Sequence, residues 1–311
     1  MFQMSRRILV AAFATLVVAS TSPSLAADKL KVVATFSILG DMVRNVAGEN
    51  ILLTTLVGPN GDAHVYEPTP ADARALAEAD LVLVNGLGFE GWIDRLIKNS
   101  EYKGPLVLTT KGISPLGTED DHGHDHEKNG KEQHHGALDP HAWQDLTNGR
   151  IYVANIAQAL ALADPDRADD YRRRAQAYDR DLLALDREIR NRLDAIPSNQ
   201  RKVVTSHDAF RYFGRAYGID FHAPVGLSTE SEPSAGEVAA LIRQMRQMKI
   251  RAVFVENITD PRLVQQLARE AGAIVGGTLF SDSLSSPDGP APSYLNMFRH
   301  NANEIAGAFT K

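Results

Sequence analysis

Short apolar runs alternate with amphipathic stretches along most of the chain, each about the length of one secondary element. Leu30 to Phe36 (LKVVATF) and Ile51 to Val57 (ILLTTLV) read as buried strands, as do Leu81 to Val84 and Pro105 to Thr109. Between them, Ile38 to Val46, Ala71 to Ala79 and Phe89 to Lys98 carry apolar residues at helical spacing. Thr69 is a suitable N-cap, with Pro70 at the first helical position. Strands separated by helices of about ten residues make βα units, and βα units make a mostly parallel sheet.

Residues 164–196 hold the longest helical pattern. Tyr171, Ala175, Tyr178, Leu182, Leu185, Ile189 and Leu193 recur at spacings of three and four, charges fill the other face, and Pro197 ends the run. The βα alternation then restarts. Lys202 to Thr205, Arg251 to Val255 and Ile274 to Leu279 read as strands, and Asp208 to Tyr217, Ala235 to Lys249 and Pro261 to Ala271 as helices. The expected fold is α/β: two lobes, each a mostly parallel sheet flanked by helices, joined by one long rigid helix. The expected boundaries are a leader over 1–26, a first lobe over 27–163, a linking helix over 164–197 and a second lobe over 198–311.

Two segments fall outside this rhythm. The N-terminus has a positive start at Arg6 and Arg7, a short apolar run from Ile8 to Ala19, and a small-x-small site at Ser24-Leu25-Ala26. That is the pattern of a secretory signal peptide cleaved after Ala26, and the apolar run is too short to span a bilayer. Residues 118–136 (TEDDHGHDHEKNGKEQHHG) have almost no apolar side chain and read as a solvated loop within the first lobe.

Composition narrows the chemistry. The 311 residues include no cysteine, which excludes thiol catalysis, iron–sulfur clusters, Cys-based zinc sites and a lipid-modified cysteine. The expectation is therefore a periplasmic protein, secreted through a cleaved signal peptide and not lipid-anchored. A formal net charge of −6 argues against nucleic acid as a partner.

Histidine is the residue type that stands out. Five of the ten (His122, His124, His126, His134, His135) lie in the polar loop, where neutral imidazoles suit zinc, copper or nickel. The same composition also fits a solvated tract with only adventitious binding. Three others stand beside strand ends or helix starts: His64 in GDAHVYEP, His141 in LDPHAW and His207 in VVTSHDAF. Asp282 follows the last strand in FSDSL. Ligands bind α/β sheets beyond the carboxyl ends of strands. Spacing alone does not bring these four residues together, and each has an ordinary structural reading as a capped or hydrogen-bonded side chain. His222 and His300 read as surface or core residues, Trp92 and Trp143 as packing in the first lobe, and Glu256 and Asn257 as structural or supporting groups. No HExxH is present: His126-Glu127 is followed by Lys-Asn-Gly. A zinc-dependent hydrolase, which needs an open metal position and a general base, is the rival from another class.

From Lys29 to the C-terminus the chain resembles the cluster A-I (cluster 9) metal-binding proteins of ATP-binding-cassette importers. The resemblance rests on the ordered segments VVATFSILGDMVRNVAG, VGPNGDAHVYEPTPAD, VNGLGFEGW, LDPHAWQD, VVTSHDAFRYFGRAYG and GGTLFSDSL. It implies two α/β lobes with the metal between them, two ligands from each lobe, and His64, His141, His207 and Asp282 as those ligands. Within the family the chain looks like the zinc branch (ZnuA/AztC-like), which also carries a histidine-rich loop. Manganese-binding relatives usually have Glu where this chain has His207. Three imidazoles and one carboxylate suit Zn²⁺, whereas manganese prefers more oxygen. The implied function is high-affinity capture of one Zn²⁺, with weaker sites in the loop and manganese as the alternative metal, and delivery to a permease at the inner membrane. A periplasmic zinc metallochaperone is a further implied partner, and the chain is expected to be monomeric and without enzymatic activity. Glu67, Asp139 and Asp208 stand close enough in sequence to orient the imidazoles, and serve equally well as caps and turn residues.

Overall fold

The computed structural model describes residues 29–117 and 138–309. The leader and the histidine-rich loop, with His122, His124, His126, His134 and His135, lie outside the described residues.

In the first lobe β1 (Leu30–Phe36), α1 (Ser37–Ala47), β2 (Ile51–Val57), α2 (Pro70–Ala77), β3 (Leu81–Val84), α3 (Ile93–Ser100) and β4 (Leu106–Leu108) alternate as expected. The four strands are parallel in the order β2-β1-β3-β4. Then follow α4 (Leu146–Ala163) and the long α5 (Ala168–Leu193). The second lobe runs β5 (Lys202–Val204), α6 (Arg211–Tyr217), β6 (Asp220–His222), α7 (Ala235–Met248), β7 (Ala252–Glu256), α8 (Arg262–Ala271), β8 (Ile274–Leu279) and α9 (Tyr294–Phe309). Its sheet is parallel in the order β6-β5-β7-β8, the same winding as the first. In both lobes the chain leaves the first strand to one side and then crosses to the other. The crevice between those directions lies beside β1 and β3 in one lobe and beside β5 and β7 in the other.

The linking helix is shorter than the sequence pattern suggested. Pro165–Arg167 forms a 3₁₀ turn, and the α-helix starts at Ala168. Asp164 closes that turn by accepting from Arg167 Nη1 at 2.8 Å and from the Tyr171 hydroxyl at 2.7 Å. All seven residues of the apolar stripe are buried. They face α4, α1 and α9, so the strut is also the spine of the main core.

Two helices start later than expected. α3 begins at Ile93 and not Phe89 because Glu90 turns inward, accepting from the backbone N–H groups of Asn85 at 2.7 Å and Gly86 at 3.1 Å. α6 begins at Arg211 and not Asp208 because His207 is still extended, bridged in parallel to Val225. The β5 side chains alternate between two cores, as a strand covered on both faces requires. Val203 joins the main core, while Val204 joins a smaller one with Leu241, Ile242, Met245, Val264 and Leu267 of α7 and α8.

Candidate metal centre

His64 sits in the loop after β2. Asp62 Oδ1 accepts its backbone N–H at 2.9 Å, and the Trp92 indole donates to the adjoining Ala63 carbonyl at 2.8 Å. The imidazole rests edge-on against Phe89, with ring centroids 4.8 Å apart.

His141 sits in a tight turn before α4. Asp139 Oδ1 is 2.9 Å from its backbone nitrogen and 2.8 Å from its ring Nδ1. The turn is braced from both lobes. Asn85 donates to the Pro140 carbonyl at 2.9 Å, and the Tyr212 hydroxyl of α6 donates to the Asp139 carbonyl at 3.0 Å.

His207 lies just past β5. Its backbone N–H donates to Glu256 Oε1 at 2.8 Å, and Glu256 Oε2 stands 2.6 Å from its Nδ1. Asp282 lies just past β8, in a segment gripped on both sides by Asn301 of α9. Asn301 accepts from the Phe280 N–H at 2.9 Å and donates to the Phe280 carbonyl at 2.8 Å.

By chain order the four residues come two from each lobe, but Asp282 is held largely by the first. The Ser281 carbonyl accepts from the Trp143 indole at 3.0 Å and the Gln144 amide at 2.7 Å. Leu284 N–H donates to Ser37 Oγ at 2.9 Å, and its carbonyl accepts from Asn60 N–H at 2.9 Å. Trp143 therefore packs in the first lobe, as expected, and also clasps the second.

The structure brings His64, His141, His207 and Asp282 together as one buried group, with one donor atom from each within 4.8 Å of the others. His64 Nε2 is 3.3 Å from Asp282 Oδ2 and 3.3 Å from His141 Nε2. His207 Nε2 is 3.2 Å from Asp282 Oδ2, and His141 Nε2 is 3.6 Å from Asp282 Oδ1. A tetrahedral zinc ion with ligands at about 2.0–2.1 Å has ligand–ligand edges of roughly 3.3–3.4 Å. The shortest separations match those edges. Burial would push the Asp282 carboxyl up, but the His141 and His207 imidazoles hold it well below its usual value of 3.8. Burial likewise works to lower His207, yet Glu256 and Asp282 together raise it well above 6.5. The pocket is thus strongly attractive to positive charge. A cavity of about 740 Å³, lined in part by Asp62, Thr229, Glu232 and Asp260, opens on the His207 side. Thr229 spans the lobes there, donating to Asp62 Oδ2 at 2.6 Å.

The residues proposed as imidazole supports separate. Asp139 meets His141 directly. Asp208 turns to Arg211, 3.8 Å away, and burial raises its carboxyl to about 6. Glu67 is exposed. His222 pairs with Asp220 at 3.3 Å, and His300 contacts the Thr278 carbonyl at 2.8 Å, so neither joins the group. Glu256, expected as a structural or supporting group, stands against His207. An acid that closes a hydrophobic strand (AVFVE) is the signal that marks it.

Residues 32–308 match the family model for ZnuA, described as the periplasmic component A of a zinc-uptake complex. The chain belongs to this family of periplasmic metal-binding proteins. It is 34 % identical over 304 residues to the iron-binding protein YfeA of Yersinia pestis, covering 96 % of this chain and 94 % of the relative. It is 34 % identical over 298 residues to the manganese ABC transporter substrate-binding lipoprotein PsaA of Streptococcus pneumoniae, covering 94 % and 92 %. Among solved structures, the zinc-binding protein TroA of Treponema pallidum superposes with a TM-score of 0.82 at 31 % identity, covering 91 % and 99 %.

These names correct two expectations. Relatives named for manganese, iron and zinc share the fold, so family membership does not place the chain in a zinc branch. Several relatives are named lipoproteins, which are lipid-anchored. That overturns the expectation of a cleaved signal peptide with no lipid anchor, whereas the periplasmic expectation agrees with the family. The physical reason is that membrane attachment is not a property of the two lobes, whose described elements begin at β1.

Proposed function

We propose that the chain captures one divalent transition-metal ion between its lobes, with Zn²⁺ as the preferred cargo, and passes it to the permease of an ATP-binding-cassette importer. The observation that carries this reading is the convergence of three imidazole Nε2 atoms on the Asp282 carboxylate at 3.2–3.6 Å. Three neutral imidazoles and a carboxylate fill the four positions of a tetrahedral zinc ion, leaving none for a reacting water. On that count the site holds its ion and does not use it in catalysis. Release then requires a lobe or loop movement that withdraws one or more ligands, triggered when the permease docks. The protein acts as a monomer and receives metal from solution or from a periplasmic metallochaperone, with the histidine-rich loop gathering it at low supply.

Manganese is the second reading, favoured by relatives such as PsaA that are named for it. A competitive titration of chelator-stripped protein with Zn²⁺ and Mn²⁺ separates the two. The expected result is one tight zinc site that outcompetes manganese. His207→Ala should weaken it by more than the roughly 100-fold typical of a group that merely supports a ligand. Tighter binding of manganese would establish the second reading. Unchanged affinity in the variant would overturn the ligand set.

A further inference from the structure

We infer that Glu256 is a positioning residue that fixes the proton of His207 on Nδ1 and so keeps Nε2 free to bind the metal. This inference rests on the capture reading above. Glu256 ends β7, the strand paired beside β5, and both carboxylate oxygens reach His207. Oε1 accepts the backbone N–H at 2.8 Å and Oε2 stands 2.6 Å from Nδ1. The two residues are 49 apart in the chain. Their meeting depends on the β5–β7 register, in which Val203 pairs with Ala252 and Val204 with Val253.

The chemistry follows from what each group can donate. A carboxylate only accepts, and a neutral imidazole carries one N–H. In the neutral ring that binds a metal, a carboxylate oxygen 2.6 Å from Nδ1 holds the single proton there, which leaves Nε2, 3.2 Å from Asp282 Oδ2, for the ion. Asp139 does the same for His141 from two residues upstream, a local turn that the DPH tripeptide makes by itself. Glu256 does it across the sheet. Burying a carboxylate is costly, and among the described residues Glu256 pairs with His207 and with no arginine or lysine that would offset the cost. A group needed only to fill space at this strand end would be apolar.

Glutamine shows why the acid matters. It has the same shape but one acceptor and one donor. If its oxygen keeps the His207 backbone N–H, its amide nitrogen faces Nδ1. The ring proton is then driven to Nε2, where it blocks the metal. The reverse orientation leaves the backbone N–H unpaired.

The test is a double-mutant cycle read by zinc affinity against a competing chelator. Glu256→Gln should lower affinity about 10- to 100-fold. His207→Asn retains an N–H near the Nδ1 position but removes Nε2, and in that background Glu256→Gln should change the residual affinity less than about twofold, the effect acting wholly through His207. Equal losses in both backgrounds, or no loss in either, would overturn the inference. Long-range ¹H–¹⁵N spectra of the zinc-loaded wild type give a second reading that needs no variant. They should show His207 protonated on Nδ1 and metal-bound through Nε2, and the opposite assignment would sink the idea even if Glu256→Gln did not fold. A wild type that binds no metal would instead refute the capture reading. A wild type that binds zinc with an indifferent Glu256→Gln would refute this inference alone.

Discussion

The three histidines reach one carboxylate by different local routes: a loop beyond β2, a turn before α4, and a strand end. Their residue types and strand-end context were readable in the sequence, but their convergence was not. His64 and His141 are 77 residues apart, and nothing local encodes a contact at that distance. Only the ordered motifs of the family predicted it. The same scale holds a prediction at Gly149, which lies in α4 beneath Tyr294. An added Cβ would fall 2.6 Å from the Tyr294 hydroxyl and 3.1 Å from its ring. That hydroxyl donates to the Trp143 carbonyl, and the Trp143 indole holds the Ser281 carbonyl beside Asp282. Gly149→Ala should gain about 1 kcal/mol in helix propensity and lose about 1–3 kcal/mol to overpacking. The melting temperature of the metal-free protein should therefore fall. An equal or higher value would mean that Tyr294 has room to shift.

At the scale of elements, the period-two and period-3.6 patterns located β1, β2, β3 and β8 to the residue and α7 to within one. They missed α4, β6 and α9 for separate reasons. α4 is apolar over most of its circumference and shows little stripe, whereas β6 is a three-residue edge strand. α9 does have a stripe, with Tyr294, Met297, Phe298, Asn301, Ala302, Ile305 and Ala308 buried, but polar residues interrupt it. Its first residue is anchored to α1, since Tyr294 N–H donates to Asp41 Oδ2 at 2.9 Å. Burial raises the Asp41 carboxyl above 3.8, with the Tyr294 amide and Arg44 opposing in part. The folded protein thus favours the protonated acid. That contribution is full below pH 3.8 and is lost as pH rises through the folded value. Asp41→Asn keeps an acceptor and removes the buried charge, each unit of upward shift corresponding to about 1.4 kcal/mol. Melting at pH 7 should occur at or above the wild-type temperature, with the gap closing as pH falls below 3.8. A clear loss of stability at pH 7 would show that α9 needs the charge itself.

At the scale of the whole molecule, the bound metal would act as a cross-link between lobes that already share one core. Binding that favours the folded state adds about 4 kcal/mol at a free concentration of 1,000 times the dissociation constant. Hydrogen exchange should place that gain on both sides of the site. Amides near His64 and His141 and those near His207 and Asp282 should all slow when zinc is added. Protection confined to the first lobe would mean that the ion does not bridge. The small core shared by α7, α8 and one face of the second sheet stands apart from the main one, and its amides should exchange faster in the metal-free protein.

The reach of α9 has a consequence for how the chain is made. The main core that holds β1 and α1 also holds Tyr294, Met297, Phe298, Ala302 and Ile305. A polypeptide synthesised from its N-terminus therefore leaves the apolar faces of α1 and α5 partly uncovered until α9 has emerged. The first lobe is first in sequence but is not finished first, and a nascent chain halted before residue 294 would need a holdase to keep it from aggregating.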